Sequence, residues 1–254
     1  MYKYFLFDLD RTLWDFDKNS KSAIFKLIDK YSLSVLFGIN DKEDFFAKYE
    51  VINHHLWNEY ETGKITKEHL RSARFYTAFN NYLKEDFNTN ANAINWSTKQ
   101  LQNFADMFGE SYLTQMAFET ELEPHALELL TTLKKKDAKI AIVTNGFKEV
   151  QYRKLSNSKI LQYTDAVIIS EEVGFHKPNP IMFKKAIEAI CPANEYNTNR
   201  IAIKKSTLMV GDDFANDIEG AQIFGIDQFY YNPNHKPCNG GPTYQSDNLL
   251  EILL

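Results

Sequence analysis

The chain has 254 residues, of which 44% are hydrophobic and 25% are charged, and its formal net charge is −5 at pH 7. These values are ordinary for a globular protein with a sizeable apolar core, and they exclude the basic surface that is typical of nucleic-acid-binding domains. The two cysteines, Cys191 and Cys238, are far apart and indicate neither a disulfide framework nor a metal site, so we expect a reducing, cytoplasmic compartment. No apolar segment approaches the roughly 20 residues of a membrane span, and the first apolar run meets Asp8 too early for a secretion signal.

Short, nearly continuous apolar segments recur along the chain and predict strands that are buried on both faces of a parallel sheet. These segments are residues 2–9, 139–144, 166–170, 207–211 and 228–231. Helix-like segments separate the last four, and this alternation is typical of crossover units. The sequence therefore predicts an α/β fold with a Rossmann-like, doubly wound parallel sheet.

The block between the first two predicted strands has a helical pattern instead. Apolar residues recur there at three- and four-residue steps, beginning with Ala23, Leu27 and Ile28. At about a hundred residues, the block is far longer than an ordinary connection. We therefore expect an all-helical cap domain at 17–120, inserted into a core domain formed by 1–16 and 121–254. The Asn-rich segment 86–96 is predicted to be a loop, and the polar segment 191–206 a surface excursion.

Four polar motifs follow the ends of predicted strands, where open parallel sheets bind their ligands. In the first, Asp8 and Asp10 are two residues apart, so that one carboxylate can attack an electrophile while the other moves a proton. In the second, residues 144–146 offer a hydroxyl, an amide and a permissive backbone to phosphate oxygens. Ordinary turns after strands use the same residue types, so neither motif is specific by itself.

In the third motif, Lys177 precedes a helix that is predicted to begin near Pro180, and it can neutralise negative charge at the strand ends. The fourth motif contains Asp212, Asp213 and Asp217. Magnesium is commonly held by one or two carboxylates together with phosphate, whereas Asp213 can equally cap the helix that follows. Carboxylates of the first and fourth motifs can meet if their strands are neighbours.

Together these motifs resemble those of the haloacid dehalogenase superfamily. The resemblance is carried by FDLDRTL at 7–13, IVTNG at 142–146, GFHKPNP at 174–180 and VGDDFANDIEGA at 210–221. The helical block resembles the C1-type cap, and the chain is most similar to the branch with the pyrimidine 5'-nucleotidases. This resemblance implies a magnesium-dependent phosphatase for a small phosphomonoester, such as a nucleoside 5'-monophosphate. It also implies a monomer or homodimer without nucleic-acid or membrane partners.

The resemblance implies a role for each motif residue. Asp8 would be the nucleophile that forms an aspartyl-phosphate, Asp10 the general acid and base, and Lys177 a stabiliser of charge. The substrate phosphate would be bound by Thr144, Asn145 and Gly146. Magnesium would be bound by Asp8, the Asp10 carbonyl and Asp212, with Asp213, Asp217 and Thr12 around them. The family usually has glycine where this chain has Arg11.

Other functions fit the same fold. They are a sugar phosphomutase, a 2-haloacid dehalogenase, a phosphonate hydrolase with a cap lysine, and a non-catalytic binding protein. Asp10 favours phosphate chemistry, because a dehalogenase has no leaving oxygen to protonate. Aromatic residues of the helical block would either stack on a nucleobase or pack between helices, and candidates are Trp57, Tyr60 and Tyr76.

Overall fold

The computed structural model describes residues 2–86, 95–238 and 240–253. The chain divides into two compact units. The core unit runs up to Asp17 and resumes at Ala117, and the helical unit is Lys18–Met116. None of the helices in the described ranges combines the length and the apolar character that crossing a bilayer requires.

The core unit contains a sheet whose neighbouring strands all pair in parallel. Its strands are β1 (Tyr4–Phe7), β2 (Lys139–Thr144), β3 (Ala166–Ile169), β4 (Thr207–Gly211), β5 (Asp227–Tyr231) and β6 (Tyr244–Ser246). They are arranged in the order β3-β2-β1-β4-β5-β6. The first five match the predicted strands. The sequence did not indicate β6, because this strand has only three residues and two of them are exposed.

Helices of the core unit pack on the sheet because both faces of its strands are apolar. The helices are α6 (Ala126–Lys135), α7 (Lys148–Asn157), α8 (Ser170–Val173), α9 (Pro180–Ile190), α10 (Ala193–Thr198), α11 (Arg200–Lys205) and α12 (Gly220–Phe224), and a π-helix spans Phe214–Glu219. Tyr4 and Leu6 of β1 belong to one buried cluster with residues of α9, while Phe5 and Phe7 are buried on the opposite face. The predicted doubly wound α/β sheet is confirmed.

The position of β1 in the middle of the sheet determines where the polar motifs meet. It pairs with β2 on one side and with β4 on the other, with Phe7 opposite both Ile142 and Val210. The strands that precede Asp8 and Asp212 are therefore neighbours, as the proposed meeting of their carboxylates requires.

The helical unit is built from helices, as the periodicity predicted. They are α1 (Phe16–Lys30), whose first two residues belong to the core unit, α2 (Leu33–Phe37), α3 (Lys42–Glu61), α4 (Lys67–Asp86) and α5 (Thr98–Met116). Its centre is aromatic, with Tyr49 stacked on Phe75 at 4.9 Å between ring centroids. Of the predicted loop 86–96, residues 87–94 lie outside the described part of the chain.

The interpretation of residues 191–206 as a surface excursion needs correction. This segment forms α10 and α11, and Tyr196 and Ile203 are buried in the same cluster as α9. Both helices have only six residues, and among the side chains that the structure describes each helix buries one, which left no periodic signal. Both cysteines are free, as expected, with Cys191 buried in this region.

Candidate active site

A lysine between two carboxylates lies at the centre of the sheet edge. Lys177 Nζ donates to Asp8 Oδ1 at 2.5 Å and to Asp217 Oδ1 at 2.6 Å. Lys177 is 3% exposed, Asp8 is 7% exposed and Asp217 is fully buried. Since an isolated charge would be strongly destabilised in such surroundings, the three groups depend on one another for their charged states.

The electrostatics of this triad follow from burial and from mutual contact. Burial alone would lower the pKa of Lys177, but Asp217 and Asp8 raise it above its ordinary value. Burial raises the pKa of Asp8, against the opposing effect of Lys177. The pKa of Asp217 is raised by burial for the same reason, with Lys177 again acting in the opposite direction. The two carboxylates therefore favour the cationic form of Lys177, which in turn favours the ionised form of Asp8.

Asn145 holds the loop that carries Lys177. Its Oδ1 accepts a hydrogen bond from the Lys177 backbone N–H at 2.7 Å, and its Nδ2 donates to the Lys177 carbonyl at 3.0 Å. On the far side of the loop, Asn179 caps α9 by accepting from the N–H of Ile181. The Asn145 side chain thus orients the lysine, and any contact of residue 145 with phosphate would come from its backbone.

Asp10 has two partners that the sequence analysis did not identify. Its Oδ1 accepts from Lys154 Nζ at 2.7 Å, and its Oδ2 accepts from Gln151 Nε2 at 2.9 Å. Lys154 is 3% exposed, and its ammonium lies over the Trp14 ring at 4.2 Å from the centroid. Burial lowers the pKa of Lys154, and Asp10 opposes that shift.

The sequence pattern of α7 could have indicated these partners of Asp10, because both lie on its buried face. That face consists of Val150, Gln151, Lys154 and Leu155. Two polar side chains therefore occupy positions at which helical spacing places core residues. A lysine within an apolar stripe implies a buried acidic partner, since lysine is almost never fully buried without one.

Thr144 joins the same network from β2. Its hydroxyl, on a side chain that is 2% exposed, accepts from Gln151 Nε2 at 2.7 Å. Gly146 provides the space for Gln151, because a Cβ at residue 146 would collide with the Gln151 side chain. Gln151 therefore connects the Thr144 hydroxyl at the end of β2 with the Asp10 carboxylate after β1.

Arg11 occupies a position that requires an unusual backbone. Its φ is 63°, in the left-handed region that glycine adopts without strain, which explains why the family usually has glycine there. The guanidinium donates from Nε to Asp17 Oδ1 at 2.7 Å and lies over the Phe16 ring. The Arg11 side chain is thus held by the start of α1. Next to it, Thr12 is buried, and its hydroxyl lies 3.5 Å from Asp212 Oδ1.

The three aspartates of the acidic motif after β4 make different contacts. Asp213 caps the π-helix, because its Oδ1 accepts from the backbone N–H of Asn216 at 2.9 Å. Asp212 leaves its carboxylate at the sheet edge, where burial and then repulsion from Asp8 raise its pKa to about 7. Asp217 Oδ2 accepts from the Asp213 N–H at 3.2 Å, which fixes Asp217 beside Lys177.

Three of these carboxylates have the composition of a divalent-cation site. One oxygen each from Asp8, Asp212 and Asp217 lies within 4.8 Å of the others. Oxygen donors of this kind suit a hard cation such as magnesium. The pKa of Asp212 is raised first by burial and then by repulsion from Asp8, and a divalent cation would offset that repulsion. Both oxygens of Asp217 already accept hydrogen bonds, from Lys177 and from the Asp213 N–H, so Asp8 and Asp212 have more capacity to bind a metal.

This fold and site agree with the result of comparison with known protein families. The model of haloacid dehalogenase-like hydrolases matches residues 2–225, which is most of the chain. The chain therefore belongs to the haloacid dehalogenase-like hydrolases, and the resemblance inferred from its motifs is confirmed.

Several known proteins are similar to this chain over nearly its whole length. The pyrimidine 5'-nucleotidase YjjG of Escherichia coli is 31% identical over 98% of this chain and 95% of its own length. The pyrimidine 5'-nucleotidase PynA of Streptococcus pneumoniae is 28% identical over 99% of this chain and 94% of its own. The magnesium-bound crystal structure of the HAD-hydrolase YfnB of Bacillus subtilis has a TM-score of 0.76 at 26% identity, over 99% of this chain and 96% of that one.

Proposed function

We propose that this chain is a magnesium-dependent phosphatase that transfers the phosphoryl group of a small phosphomonoester to Asp8 and then to water. The observation that carries the proposal is the contact of Asp8 with Lys177 at 2.5 Å beside the carboxylate of Asp212. An anionic nucleophile that must approach an anionic phosphate needs fixed positive charge at this place. We further propose that the helical unit serves as the cap domain.

Asp8 and Asp10 divide the chemistry in this proposal. An Asp8 oxygen attacks phosphorus, the ester bond breaks, and a protonated Asp10 donates its proton to the leaving oxygen. Asp10 then removes a proton from the water that attacks the aspartyl-phosphate, so that phosphate leaves and Asp8 is restored. Both Asp10 oxygens accept hydrogen bonds, from Gln151 and from Lys154, and these contacts fix the orientation of the carboxylate.

The remaining residues hold the phosphoryl group and the charges. The backbone at residues 145 and 146 and the Thr144 hydroxyl would donate to phosphoryl oxygens, while Lys177 offsets the charge on Asp8. Asp8 and Asp212, with the Asp10 carbonyl, would hold magnesium, and Thr12, Asp213 and Asp217 would support them. When bound there, magnesium would reduce the repulsion between Asp8 and the phosphoryl oxygens.

We propose a nucleoside 5'-monophosphate, with a pyrimidine base, as the substrate class. Two relatives that match nearly the whole chain are pyrimidine 5'-nucleotidases, which supports this choice over a sugar phosphate. Of the candidate cap aromatics, Trp57 and Tyr60 contact each other edge-on at 5.7 Å between centroids, and both remain partly exposed.

A panel of phosphate esters tests the proposal. We expect the purified protein to release phosphate from CMP and UMP in the presence of magnesium, and EDTA to abolish this release until magnesium is added in excess. Ribose 5-phosphate and p-nitrophenyl phosphate serve as comparison esters. Faster hydrolysis of ribose 5-phosphate than of every nucleotide would contradict the substrate class, and full activity in EDTA would contradict the metal requirement.

The partners of Asp10 lead to a prediction about the leaving group. We expect Lys154→Met to slow CMP hydrolysis about 10- to 100-fold, because the carboxylate that protonates the leaving oxygen would lose its position. The loss should be smaller for p-nitrophenyl phosphate, whose leaving group departs as a stable anion. Single-turnover release of the alcohol, measured with both esters, separates this step from the later hydrolysis of the aspartyl-phosphate.

Lys148→Met is the matched control for this experiment. Lys148 lies on the same helix but is more than half exposed and pairs with Glu172. We expect the control to leave both rates unchanged. Equal losses for the two esters in Lys154→Met would mean that Lys154 supports the core unit without positioning Asp10.

A further inference from the structure

Two cationic residues lie beside the candidate metal ligand Asp212, at a small cavity of the core unit. The cavity has a volume of about 30 Å³, and Arg11 and Lys236 line it together with Asp212. A space of this size holds about one water molecule. All three residues belong to the core unit, so the arrangement lies within a single compact part of the chain.

The charges of Arg11 and Lys236 act on the Asp212 carboxylate. Burial and then repulsion from Asp8 raise the pKa of Asp212, and Arg11 and Lys236 both oppose that rise. The two cations are therefore close enough to stabilise the negative charge of Asp212. For the same reason they would repel a second cation that binds to this carboxylate, because the interaction of like charges has the opposite sign.

Both cationic residues are held in place by contacts within the core unit. The Arg11 guanidinium is paired with Asp17 at 2.7 Å and lies over the Phe16 ring at 4.4 Å from the centroid. Lys236 follows β5, and Asn232 binds its backbone on both sides, accepting from the Lys236 N–H and donating to the Lys236 carbonyl at 2.9 Å each. The positive charge beside Asp212 is therefore a built feature of this edge of the sheet.

We infer that Arg11 and Lys236 weaken the binding of magnesium to the free protein, because they place positive charge beside the carboxylate of Asp212 at the shared cavity. The inference rests on the proposed function, since it assumes the metal site at Asp8 and Asp212. The negative charge of a bound phosphate ester would offset the two cations. Magnesium would then be held more firmly together with the ester than by the protein alone.

The direction of the change on substitution separates repulsion from structural support. We expect Arg11→Gly to lower the Kd for magnesium about 3- to 10-fold, whereas the loss of a merely supporting residue would raise it. Glycine fits the φ of 63° at this position, so the replacement does not strain the backbone. Calorimetry with magnesium alone measures the affinity at pH 8.5, where Asp212, with a pKa of about 7, is largely ionised.

Four further variants test whether charge is the cause. Lys236→Met should also tighten magnesium binding, and Arg11→Lys, which keeps the charge, should leave it nearly unchanged. Asp17→Asn should weaken it, because less of the Arg11 charge is then offset. Lys3→Met is the matched control: Lys3 is exposed and directly precedes β1, at the opposite edge of the sheet from Asp8, so its removal should not change the affinity.

The binding readout separates this inference from the proposed function, because it requires no hydrolysis of any ester. Tighter magnesium binding in Arg11→Gly and in Lys236→Met supports the inference for each cation separately. Unchanged or weaker binding in both variants would overturn it, and if Asp212→Asn still abolished binding, the proposed metal site would stand. Magnesium binding that did not depend on Asp212 would contradict the metal site and the inference together.

Discussion

Replacing Asp8 with asparagine is expected to lower kcat for phosphate-ester hydrolysis by about 10⁴-fold or more. The amide is nearly the same size as the carboxylate, but it cannot form the covalent intermediate. Asp8 lies directly after β1 and against Lys177, so no other carboxylate among the described residues has both the position and the cation. Phosphate release under saturating CMP and magnesium measures the effect.

The same variant should remain folded. Lys177 keeps Asp217 as a partner at 2.6 Å, so the buried cation is not left alone. Circular dichroism and the thermal unfolding midpoint are the controls, and CMP should still bind. Residual activity within tenfold of the wild type would exclude Asp8 as the nucleophile, and the proposed reaction would have to be abandoned.

Replacing Lys177 with methionine should have the largest combined effect on activity and stability. The change leaves Asp8 and Asp217 buried beside each other without a cation, which typically costs about 3–5 kcal/mol of unfolding free energy. Activity should fall about 10²- to 10³-fold, which is the typical loss when a donor at a developing anion is removed. Urea unfolding and phosphate release measure the two effects.

The loss of stability in Lys177→Met should depend on pH in a definite direction. Burial already raises the pKa values of Asp8 and Asp217, and removing Lys177 raises them further. A carboxylate whose pKa is higher in the folded state binds protons on folding, so its contribution to stability decreases as the pH rises. The variant should therefore be much less stable than the wild type at pH 8, and the difference should narrow towards pH 5.

Two control variants complete the test. Lys177→Met combined with Asp217→Asn should recover much of the stability at pH 8 without recovering activity, because one of the two buried charges is gone. Lys184→Met, on α9, removes a half-exposed lysine that pairs with Glu188 and should change neither property. If Lys177→Met alone unfolds at the same urea concentration as the wild type at pH 8, the carboxylates do not depend on this lysine.

The motif residues could be predicted because their signals are local. Residues 139–144 and 207–211 were predicted as strands, and β2 and β4 have these bounds. Apolar runs that end at polar or glycine residues define such strands without reference to the rest of the chain. Asp8, Thr144 and Asp212 could be placed at one sheet edge for the same reason, since parallel strands carry their ligands at their carboxyl ends.

The conformation at Arg11 shows the limit of a motif comparison. The sequence shows arginine where the family usually has glycine, but not whether the side chain enters the site. The structure shows that the backbone at Arg11 has the left-handed conformation, and that Asp17 and Phe16 hold the guanidinium.

The sequence by itself determined the α/β class, the strands that end in polar motifs, the helical character of the inserted block and the candidate residues of the site. Only the tertiary structure decided which polar side chains these motifs meet. Gln151 and Lys154 reach Asp10 because α7 presents its buried face to the sheet edge. Propensity and periodicity describe each element alone, whereas the partner of a buried charge depends on how separate elements pack.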